Sequence, residues 1–462
     1  MNKNELYRLI PKVDVQLDDE KIKSQLSIYD RKYIVDILRS ESDRIRRMID
    51  ENHDEENIRK EIEDLSENAY RKICALSKPH LKRVINATGT ILHTNLGRAP
   101  ISKTNAEHLA DLMSDYSNLE YDLEKGSRGE RYDHFADLIC KITGAEAALA
   151  VNNNAAAVML ILHALGKDKE IIVSRGELVE VGGSFRIPDV MSISKARLIE
   201  VGTTNKTHLR DYEEAINENT AALMKVHTSN YRVMGFTESV TSGELKDLVK
   251  DKDIPVIEDL GSGALLDLSE YGLDAEPTVS EVIASGIDVV CFSGDKMLGG
   301  PQAGIIAGKK KYIDIIKKDQ LLRALRIDKF TTATLELTLM EYLKGQKAAE
   351  TIPFLKHATS KPEDIRKKAD KLIALLKGDA DFEVIGDEGQ IGGGSMPLVK
   401  IPTFGVAVAP HKMSTASLEK KLRSLDVPVI SRIFNDRVFL DMLAIDEEQI
   451  AFLAEEINSI LV

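Results

Sequence analysis

Seven short β-rich runs alternate with helix-length segments in the middle of this chain. The runs cover residues 147–152, 170–174, 197–201, 221–227, 255–258, 288–292 and 303–307. Such alternation predicts one large, mainly parallel sheet with helices on both faces, because parallel strands need crossover connections that helices supply. We therefore predict an α/β fold with a seven-stranded sheet, in a large domain that spans residues 81–345.

A helical domain is predicted over residues 1–80. This region contains no glycine, its charge is dense and mixed, and its apolar residues recur at helical spacing. Its last part, residues 58–76, predicts one long helix that stops at Lys78-Pro79.

A smaller α+β domain is predicted over the remaining residues, 346–462. Short strands are expected around the glycines 392–394, where regular structure is interrupted. The other predicted elements are helices over 362–376, 414–424 and 447–461 and a strand over 438–440. Together with the two regions above, this gives three predicted domains.

Composition sets broad limits on function. With 43% apolar and 30% charged residues, the chain is typical of a globular protein, and it has no membrane-length apolar run and no secretory signal segment. Its three cysteines, Cys74, Cys140 and Cys291, are far apart, which argues against a disulfide framework or a structural metal and for a reducing compartment. We therefore expect a cytoplasmic protein without a bound metal.

Charge bears on the partners that are expected. The net charge of −13 disfavours indiscriminate binding to DNA and other polyanions, although a local basic surface is compatible with it. Basic residues at 31–32, 44–47 and 71–72 are suited to contact phosphates. A solvated helix face explains the same charges, and the charge pattern alone favours that interpretation.

One lysine stands out by its position. The sixth run leads into Ser293-Gly294-Asp295 and then Lys296, after which the glycines and proline of 299–301 stop regular structure. Burial at such a strand end lowers the pKa of an amine, and an unprotonated amine can form a Schiff base with an aldehyde. An isolated lysine in a turn is more often an ordinary surface residue, so this interpretation depends on what lies near Lys296.

The residue that supports a chemical role for Lys296 is Asp259, which follows the fifth run. The carboxyl ends of parallel strands lie at one edge of a sheet, where ligands bind, so Asp259 and Lys296 are expected to lie together. A pyridoxal 5'-phosphate site requires an acid that keeps the pyridine nitrogen protonated and a lysine that carries the aldehyde. We therefore predict this cofactor, with Lys296 and Asp259 as catalytic and cofactor-binding residues.

The phosphate of the cofactor is predicted to bind where the first run passes into a helix. Asn153 and Asn154 cap that helix and Ala155 lies in its first turn, which leaves N–H groups and the positive end of the helix dipole open to an anion. Ser293 adds a hydroxyl donor, and His227, at the end of the fourth run, is placed near the cofactor edge. An ordinary strand–helix junction and a structural histidine explain the same residues.

Two of the arginines are candidates for an anion site. Arg323 and Arg326 are three residues apart in a helical segment, which puts them on one helical face, and two guanidinium groups aimed together make a phosphate-sized site. Arg98 lies in a polar, glycine-containing stretch before Pro100. Surface arginines in ordinary ion pairs account for the spacing equally well.

Six stretches of the chain form a distinctive set. They are VINATGTILHTNLGRAP (84–100), EKGSRGERY (124–132), VNNNAAA (151–157), GTTNK (202–206), EDLGSG (258–263) and FSGDKMLGGPQAG (292–304). This set resembles the bacterial selenocysteine synthases, the L-seryl-tRNA(Sec) selenium transferases. The resemblance covers nearly the whole chain, without a departure at the positions that matter.

The resemblance implies a fold-type-I pyridoxal phosphate enzyme with an aspartate aminotransferase-like large domain. Lys296 would carry the cofactor and Asp259 would partner its pyridine nitrogen. The N-terminal helices would contact tRNA, and the chain would assemble as a ring-shaped homodecamer, a pentamer of dimers. The residues implied to bind or border selenophosphate, the selenium donor, are Arg98, Arg323, Arg326 and Asp295.

The implied reaction converts L-seryl-tRNA(Sec) to L-selenocysteinyl-tRNA(Sec). Water is lost by β-elimination to give an aminoacrylyl intermediate, to which selenium from selenophosphate adds. Lys296 is suited to remove the α-proton, while the ring that Asp259 keeps protonated takes up the charge. The loop 175–186 is the candidate for the segment that stacks on the cofactor ring.

Two other functions are compatible with parts of the sequence. One is a pyridoxal phosphate lyase or aminotransferase that acts on a free small amino acid, which would need no tRNA-binding helices. The other is a tRNA-binding protein with a vestigial site, which the intact Lys296 and Asp259 disfavour.

Overall fold

The computed structural model forms two compact units, Met1–Arg83 and Val84–Val462. Within them it describes residues 3–182, 185–227, 233–273 and 276–462. The first border lies three residues beyond the predicted one at 80/81. The predicted further division at 345/346 stays a prediction.

The first unit is helical over most of residues 3–75. Its buried residues form two small apolar clusters, one around Ile34 and Leu38 and the other around Ile45 and Ile49. These four residues are spaced by four, seven and four positions, so they lie on one face of a single helix. The helices are α1 (Lys3–Leu9), α2 (Val13–Leu17), α3 (Glu20–Gln25), α4 (Arg31–Asp50), α5 (Glu55–Glu63) and α6 (Leu65–Ala75).

The single long helix predicted over 58–76 is wrong, because α5 and α6 are separated at Asp64. The Asp64 N–H donates to the Lys60 carbonyl over 2.9 Å, and the Asp64 carbonyl accepts from the Asn68 N–H over 2.8 Å. Helical hydrogen bonding thus continues on both sides of the break. The apolar spacing therefore runs through it, and the sequence pattern carries no sign of the interruption.

Some of the basic residues in this unit are engaged in ion pairs. Arg44 lies 3.1 Å from Glu41 and 2.6 Å from Glu61, and Lys72 also pairs with Glu41. Glu41 is buried, so its charge needs these partners. For Arg44 and Lys72 the structure supports the ion-paired helix face rather than a free phosphate contact.

The second unit contains the strands of every sheet. They are β1 (Ile85–Asn86), β2 (Tyr121–Asp122), β3 (Ser127–Arg128), β4 (Ala147–Val151), β5 (Glu170–Ser174), β6 (Glu180–Val181), β7 (Phe185–Arg186), β8 (Arg197–Val201), β9 (Thr220–Val226), β10 (Val256–Gly261), β11 (Val289–Ser293), β12 (Gly304–Gly308), β13 (Ala380–Gly392), β14 (Ser395–Pro410), β15 (Val429–Ile430), β16 (Arg432–Phe434) and β17 (Arg437–Asp441). Of these, seven make up the large sheet.

The large sheet has the strand order β4-β12-β11-β10-β9-β5-β8. Six strands are parallel, and β12 runs antiparallel to both of its neighbours, β11 and β4. Each of the seven predicted runs forms one of these strands. The predicted α/β fold with a mainly parallel seven-stranded sheet is confirmed.

Helices cover the sheet and explain its continuous apolar strands. Strands β11 and β12 are buried at every position, as expected where both faces of a sheet are covered. The helices of the second unit, some of which pack on the C-terminal strands instead, are α7 (Lys103–Ser114), α8 (Ala136–Thr143), α9 (Asn154–Gly166), α10 (Ile187–Ile193), α11 (Leu209–Ala215), α12 (Ser242–Leu248), α13 (Val279–Ala284), α14 (Lys310–Lys317), α15 (Leu321–Ala324), α16 (Lys329–Tyr342), α17 (Ala348–Thr351), α18 (Pro353–Ala358), α19 (Pro362–Leu375), α20 (Thr415–Arg423) and α21 (Glu447–Ile460). Among the residues with a described position, none of the helices has the length and apolarity that a membrane crossing requires.

The C-terminal part holds a second, four-stranded sheet in the order β13-β14-β17-β16. The predicted helices and the strand over 438–440 are present, but the strands next to the glycines 392–394 are long rather than short. They form a hairpin of 13 and 16 residues, β13 and β14. Prolines at 397 and 402 argue against a long strand in the sequence, so β14 was not predicted at its full length. The structure tolerates both prolines because β17 pairs only with residues 405–408 of β14.

Residues 85–92 are hydrogen-bonded to the C-terminal part of the chain. β1 pairs with β15, the Asp441 N–H donates to the Ala87 carbonyl over 3.1 Å, and the Leu92 N–H donates to the Ile391 carbonyl over 2.7 Å. The segment that precedes Arg98 is therefore held against three strands that lie almost 300 residues or more further along the chain.

Gly89 is required where this segment passes the buried Asp441. Its φ is +79°, and a Cβ atom there would collide with the Asp441 carboxylate. That carboxylate accepts from Thr403 Oγ1 over 2.8 Å and from Arg432 Nη2 over 3.2 Å. Burial raises the pKa of Asp441, and these donors oppose the shift.

We expect Leu38→Ala to destabilise the helical unit. Leu38 is fully buried on α4, and truncating a buried leucine costs about 2–5 kcal/mol of unfolding free energy. Ile28→Ala, at a position that is 65% exposed, is the matched control with little expected effect. Urea unfolding, followed by hydrogen exchange of the α4 amides, measures both, and equal losses would contradict this packing.

Candidate active site

Lys296 lies in a tight loop that follows β11. The loop closes because the Gly300 N–H donates to the Gly294 carbonyl and the Gly294 N–H donates to the Ala303 carbonyl, both over 2.8 Å. A Cβ atom at Gly294 would lie 2.6 Å from the carbonyl oxygen of Pro301, so glycine is needed there. The glycines that break the sequence pattern thus fold the loop back and leave Lys296 only 6% exposed.

Burial changes the protonation of this lysine. It lowers the pKa of Lys296, the negative charge of Asp259 opposes that effect, and the positive charge of Arg98 adds to it. The net result is a pKa below that of an exposed lysine. An amine with a lowered pKa is unprotonated in a larger fraction of molecules near neutral pH, and the unprotonated form is the one that acts as nucleophile and base.

Asp259 lies near the carboxyl end of β10, between β9 and β11. It is 6% exposed, and burial raises its pKa. A 2.8 Å hydrogen bond from Asn154 Nδ2 to Asp259 Oδ1 and the charge of Lys296 both oppose that shift. The structure thus brings Asp259 and Lys296 close enough for each to shift the pKa of the other.

His227 follows β9 at the same edge of the sheet. Its backbone N–H donates to the carbonyl of Asp259 over 2.8 Å, which extends the pairing of β9 with β10 by one residue. His227 therefore lies next to Asp259, because β9 and β10 are neighbours in the sheet. A contact of its ring with the cofactor stays a prediction.

Helix α9 begins shortly after the end of β4, where β4 is paired with β12. Asn153 is its cap, and Asn153 Oδ1 accepts from the Ala156 N–H over 2.9 Å. Helix geometry leaves the N–H groups of Asn154 and Ala155 without intrahelical partners, as an anion site requires. Gly304 of β12 permits this approach, because a Cβ atom there would collide with the backbone of Asn153.

Ser293 ends β11 and is paired with Gly304 in the register of β11 and β12. It is buried, three residues before Lys296. This places it between the lysine loop and the strand that borders the N-terminus of α9. Its role as a phosphate donor stays a prediction.

Arg98 and Asp295 form an ion pair beside the lysine. Arg98 Nη1 lies 2.7 Å from Asp295 Oδ2, although the two residues are 197 positions apart. Asp295 precedes Lys296 directly, and the charge of Arg98 bears on the pKa of Lys296. Two of the four residues expected at a selenophosphate site are therefore next to the predicted catalytic lysine.

The shared helical face expected for Arg323 and Arg326 is wrong. Helix α15 ends at Ala324, so Arg323 lies in it and Arg326 lies beyond it. Arg326 instead forms a backbone bridge with Val151 at the end of β4, and its Nη1 lies 3.0 Å from Glu120 Oε1. Because the helix ends before Arg326, a spacing of three does not place the two arginines on one face. Arg326 forms an ion pair, as the alternative interpretation of surface arginines expected.

The loop 175–186 is only partly described. Residues 183 and 184, which belong to the predicted ring-stacking segment, lie outside the described residues. Near the start of the loop, the buried Glu177 accepts from Lys225 Nζ and from the Val226 N–H, both over 2.9 Å. This anchors the loop next to β9, and ring stacking stays a prediction.

Sequence reasoning missed two groups near the catalytic pair. Cys291 Sγ lies 3.8 Å from Asp259 Oδ1 on the neighbouring strand. Glu276 accepts from the Met396 N–H over 3.1 Å, and its charge raises the pKa of Lys296. The sequence gives Glu276 no recognisable context, and Cys291 is brought opposite Asp259 by the pairing of β10 with β11, which the sequence pattern does not specify.

The residues present fit pyridoxal phosphate. A lysine with a lowered pKa, a buried carboxylate and an open helix N-terminus are the groups that its aldehyde, pyridine nitrogen and phosphate require. Among the residues that the structure describes, no cluster of histidine, cysteine and acidic side chains suits a metal ion.

The fold has a counterpart among solved structures. A structure titled "Structure of D-Glucosaminate-6-phosphate Ammonia-lyase" is 21% identical and has a TM-score of 0.56, and the match covers 82% of this chain and 96% of that one. This shows a common fold. Together with the lysine–aspartate pair at the sheet edge, it defines an α/β protein of the pyridoxal phosphate-dependent type.

Comparisons of sequence define the family. The family model described as "L-seryl-tRNA selenium transferase" matches residues 84–446. A curated L-seryl-tRNA(Sec) selenium transferase of Clostridium botulinum (strain 657 / Type Ba4) is 50% identical, and one of Alkaliphilus oremlandii (strain OhILAs) is 46% identical, each over 100% of both chains. One of Clostridium perfringens (strain 13 / Type A) is 49% identical over 96% of both. The chain belongs to the L-seryl-tRNA selenium transferase family.

We expect Lys296 to react with aldehydes at a lower pH than exposed lysines do. Burial lowers its pKa, whereas Asp122 raises the pKa of the exposed Lys125. Reductive methylation of cofactor-free protein across a pH series, read by mass spectrometry, gives a midpoint for each lysine. Asp259→Asn removes a charge that favours protonated Lys296, so it should lower the Lys296 midpoint further and leave Lys125 unchanged. A common midpoint for both lysines would contradict this.

Proposed function

We propose that this protein converts L-seryl-tRNA(Sec) to L-selenocysteinyl-tRNA(Sec), with pyridoxal 5'-phosphate as cofactor and selenophosphate as selenium donor. The observation that carries the proposal is that one buried lysine, Lys296, has its pKa shaped by both the charge of Asp259 and the charges of the Arg98–Asp295 pair. The relatives named for this reaction, 46–50% identical over their whole length, support it.

Four groups of this site would hold the cofactor. Lys296 would bind its aldehyde and Asp259 its pyridine nitrogen, while the N-terminus of α9, at Asn153, Asn154 and Ala155, would bind its phosphate. Ser293 would add a donor to the phosphate and His227 would border the ring. When bound, pyridoxal phosphate supplies an electron sink for negative charge that develops at the α-carbon of the seryl group.

Lys296 is the group suited to move protons in this reaction. Its lowered pKa makes the free amine accessible, so it can remove the α-proton of the seryl group. The seryl hydroxyl is a poor leaving group and needs a proton as it departs. The same lysine, once protonated, is suited to supply it. Burial of the loop keeps water away from the reacting carbon.

Arg98 would bind the selenium donor. Only its Nη1 is engaged by Asp295, and a guanidinium group carries five N–H donors, so other donors stay available to an oxyanion. The negative charge of Asp295 would repel selenophosphate, so this residue is suited to orient Arg98 rather than to bind the donor. Arg323 and Arg326 complete the proposed anion site, for which Arg326 must exchange its ion pair with Glu120.

The first unit would bind the tRNA. Arg31 and Arg71 are exposed, with ion-pair distances of 3.8 Å to Asp14 and 3.3 Å to Glu67. Exposed ion pairs of this kind contribute little to stability, so the arginines can readily exchange them for phosphate contacts. Arg44 and Lys72 are the less suitable candidates, because the buried Glu41 needs them.

A homodecamer, built as a pentamer of dimers, and a cytoplasmic location belong to the same proposal. Support comes from the family resemblance and from apolar side chains exposed near the hairpin β2–β3. Tyr116, Tyr121 and Leu123 are among these, and a subunit contact would remove them from water.

Product formation tests the reaction directly. Purified protein with pyridoxal phosphate, seryl-tRNA(Sec) and selenophosphate should yield selenocysteinyl-tRNA(Sec), and Lys296→Ala should abolish the product because the cofactor loses its attachment and the α-proton its base. Lys125→Ala, an exposed lysine, is the control. Bound cofactor without any product from this substrate would favour a lyase or aminotransferase acting on a free small amino acid.

Salt-dependent tRNA binding tests the role of the first unit. The double variant Arg31→Glu and Arg71→Glu should weaken binding of seryl-tRNA(Sec) and reduce the slope of log affinity against log salt by about 2, roughly one for each lost phosphate contact. Lys367→Glu, in the exposed face of α19, is the matched control. An unchanged slope would exclude these two arginines from the tRNA contact.

A further inference from the structure

Two side chains to which the proposed function gives no task of their own contact the Asp259 carboxylate. Asn154, in the first turn of α9, donates from Nδ2 to Asp259 Oδ1 over 2.8 Å. Cys291 stands opposite Asp259 in the register of β10 and β11, and its Sγ lies 3.8 Å from the same Oδ1. Both side-chain contacts therefore end on one carboxylate oxygen, and neither uses Oδ2. The Gly261 backbone N–H, on the strand of Asp259 itself, is a further donor that lowers the pKa of this carboxyl.

We propose that Asn154 and Cys291 are positioning residues of the cofactor site, which hold Asp259 by Oδ1 and leave Oδ2 for the pyridine nitrogen. The inference rests on the proposed function, since that function gives Asp259 a pyridine nitrogen to bind. It assigns the Asn154 side chain a task separate from that of its backbone N–H, which the proposed function assigns to the cofactor phosphate.

The amide of Asn154 has one orientation that suits Asp259. Its nitrogen donates and its oxygen only accepts, so only the nitrogen can face an ionised carboxylate. Asn154 Oδ1 is buried and has no hydrogen-bond partner within the described stretches of the chain. A buried acceptor that lacks a donor is costly, so this atom is suited to meet a donor from a bound group.

Cys291 is a donor because it keeps its proton. Burial raises the pKa of the Cys291 thiol well above its ordinary value, and the charge of Asp259 raises it further. A protonated thiol donates weakly, whereas a thiolate would repel the carboxylate. Its contact is also the longer one, so we expect a smaller contribution from Cys291 than from Asn154.

Together these donors oppose the effect of burial on Asp259. Burial raises the pKa of Asp259, whereas the hydrogen bonds from Asn154 and Cys291 lower it. Without the Asn154 amide, the carboxyl would take up a proton more readily. A neutral carboxyl holds a protonated pyridine nitrogen less well, so the positive charge on the ring would be lost more easily.

The visible absorbance band of the enzyme-bound cofactor reports on this charge when it is titrated with pH. A protonated pyridine nitrogen disfavours a second positive charge on the nitrogen that joins the cofactor to the lysine. Losing the first charge therefore raises the midpoint at which the second nitrogen titrates. Asn154→Ala is expected to raise that midpoint by about one pH unit. Asn152→Ala, an exposed asparagine on the same stretch, is the matched control.

A cysteine series keeps the test decisive if Asn154→Ala does not fold. Cys291→Ala removes the thiol donor and should raise the midpoint by a smaller amount, whereas Cys291→Ser keeps a hydroxyl donor and should stay near wild type. Cys140→Ala, at a half-buried cysteine on α8, is the control. A wild-type midpoint in folded Asn154→Ala, or in Cys291→Ala where the asparagine variant is unfolded, overturns the inference. A wild-type protein that takes up no pyridoxal phosphate contradicts the proposed function instead, and the inference falls with it.

Discussion

Asp259 and Lys296 are buried together at one edge of the large sheet, and the charged form of either is costly to bury alone. Burial raises the pKa of the acid and lowers the pKa of the amine, while the charge of each opposes the shift of the other. The pKa values of Asp259 and Lys296 are therefore closer together than those of an exposed aspartate and an exposed lysine. Opposed shifts in neighbouring groups are typical of sites that transfer protons, and the rest of the architecture maintains this arrangement.

The antiparallel strand β12 has a central part in that architecture. It lies between β11 and β4, so the chain can turn back at Gly294 after β11 and place Lys296 in the turn. On its other side, β12 brings Gly304 against the backbone of Asn153 at the start of α9. Strand β12 thus sets the distance between Lys296 and the N-terminus of α9. In an all-parallel sheet, a crossover connection would separate these two groups.

The sequence was sufficient for the features that depend on local pattern. The seven strands could be predicted because strands covered on both faces are continuous apolar runs, and the placement of Asp259 and Lys296 at the sheet edge could be predicted because they follow such runs. The contacts of Asn154 with Asp259 and of Arg98 with Asp295 could not, since they join residues 105 and 197 positions apart. The break at Asp64 and the early end of α15 were missed because apolar spacing and residue type continue across both.

The attachment of residues 85–92 to the C-terminal sheet makes that sheet a mechanical part of the site. Backbone hydrogen bonds join this segment to β13, β15 and the end of β17, and six residues later the chain reaches Arg98 beside Lys296. A displacement of these strands would therefore move residues 85–92 with them and bear on the position of Arg98 beside Asp295. The position of a proposed anion-binding residue thus depends on a region that holds none of the reacting groups.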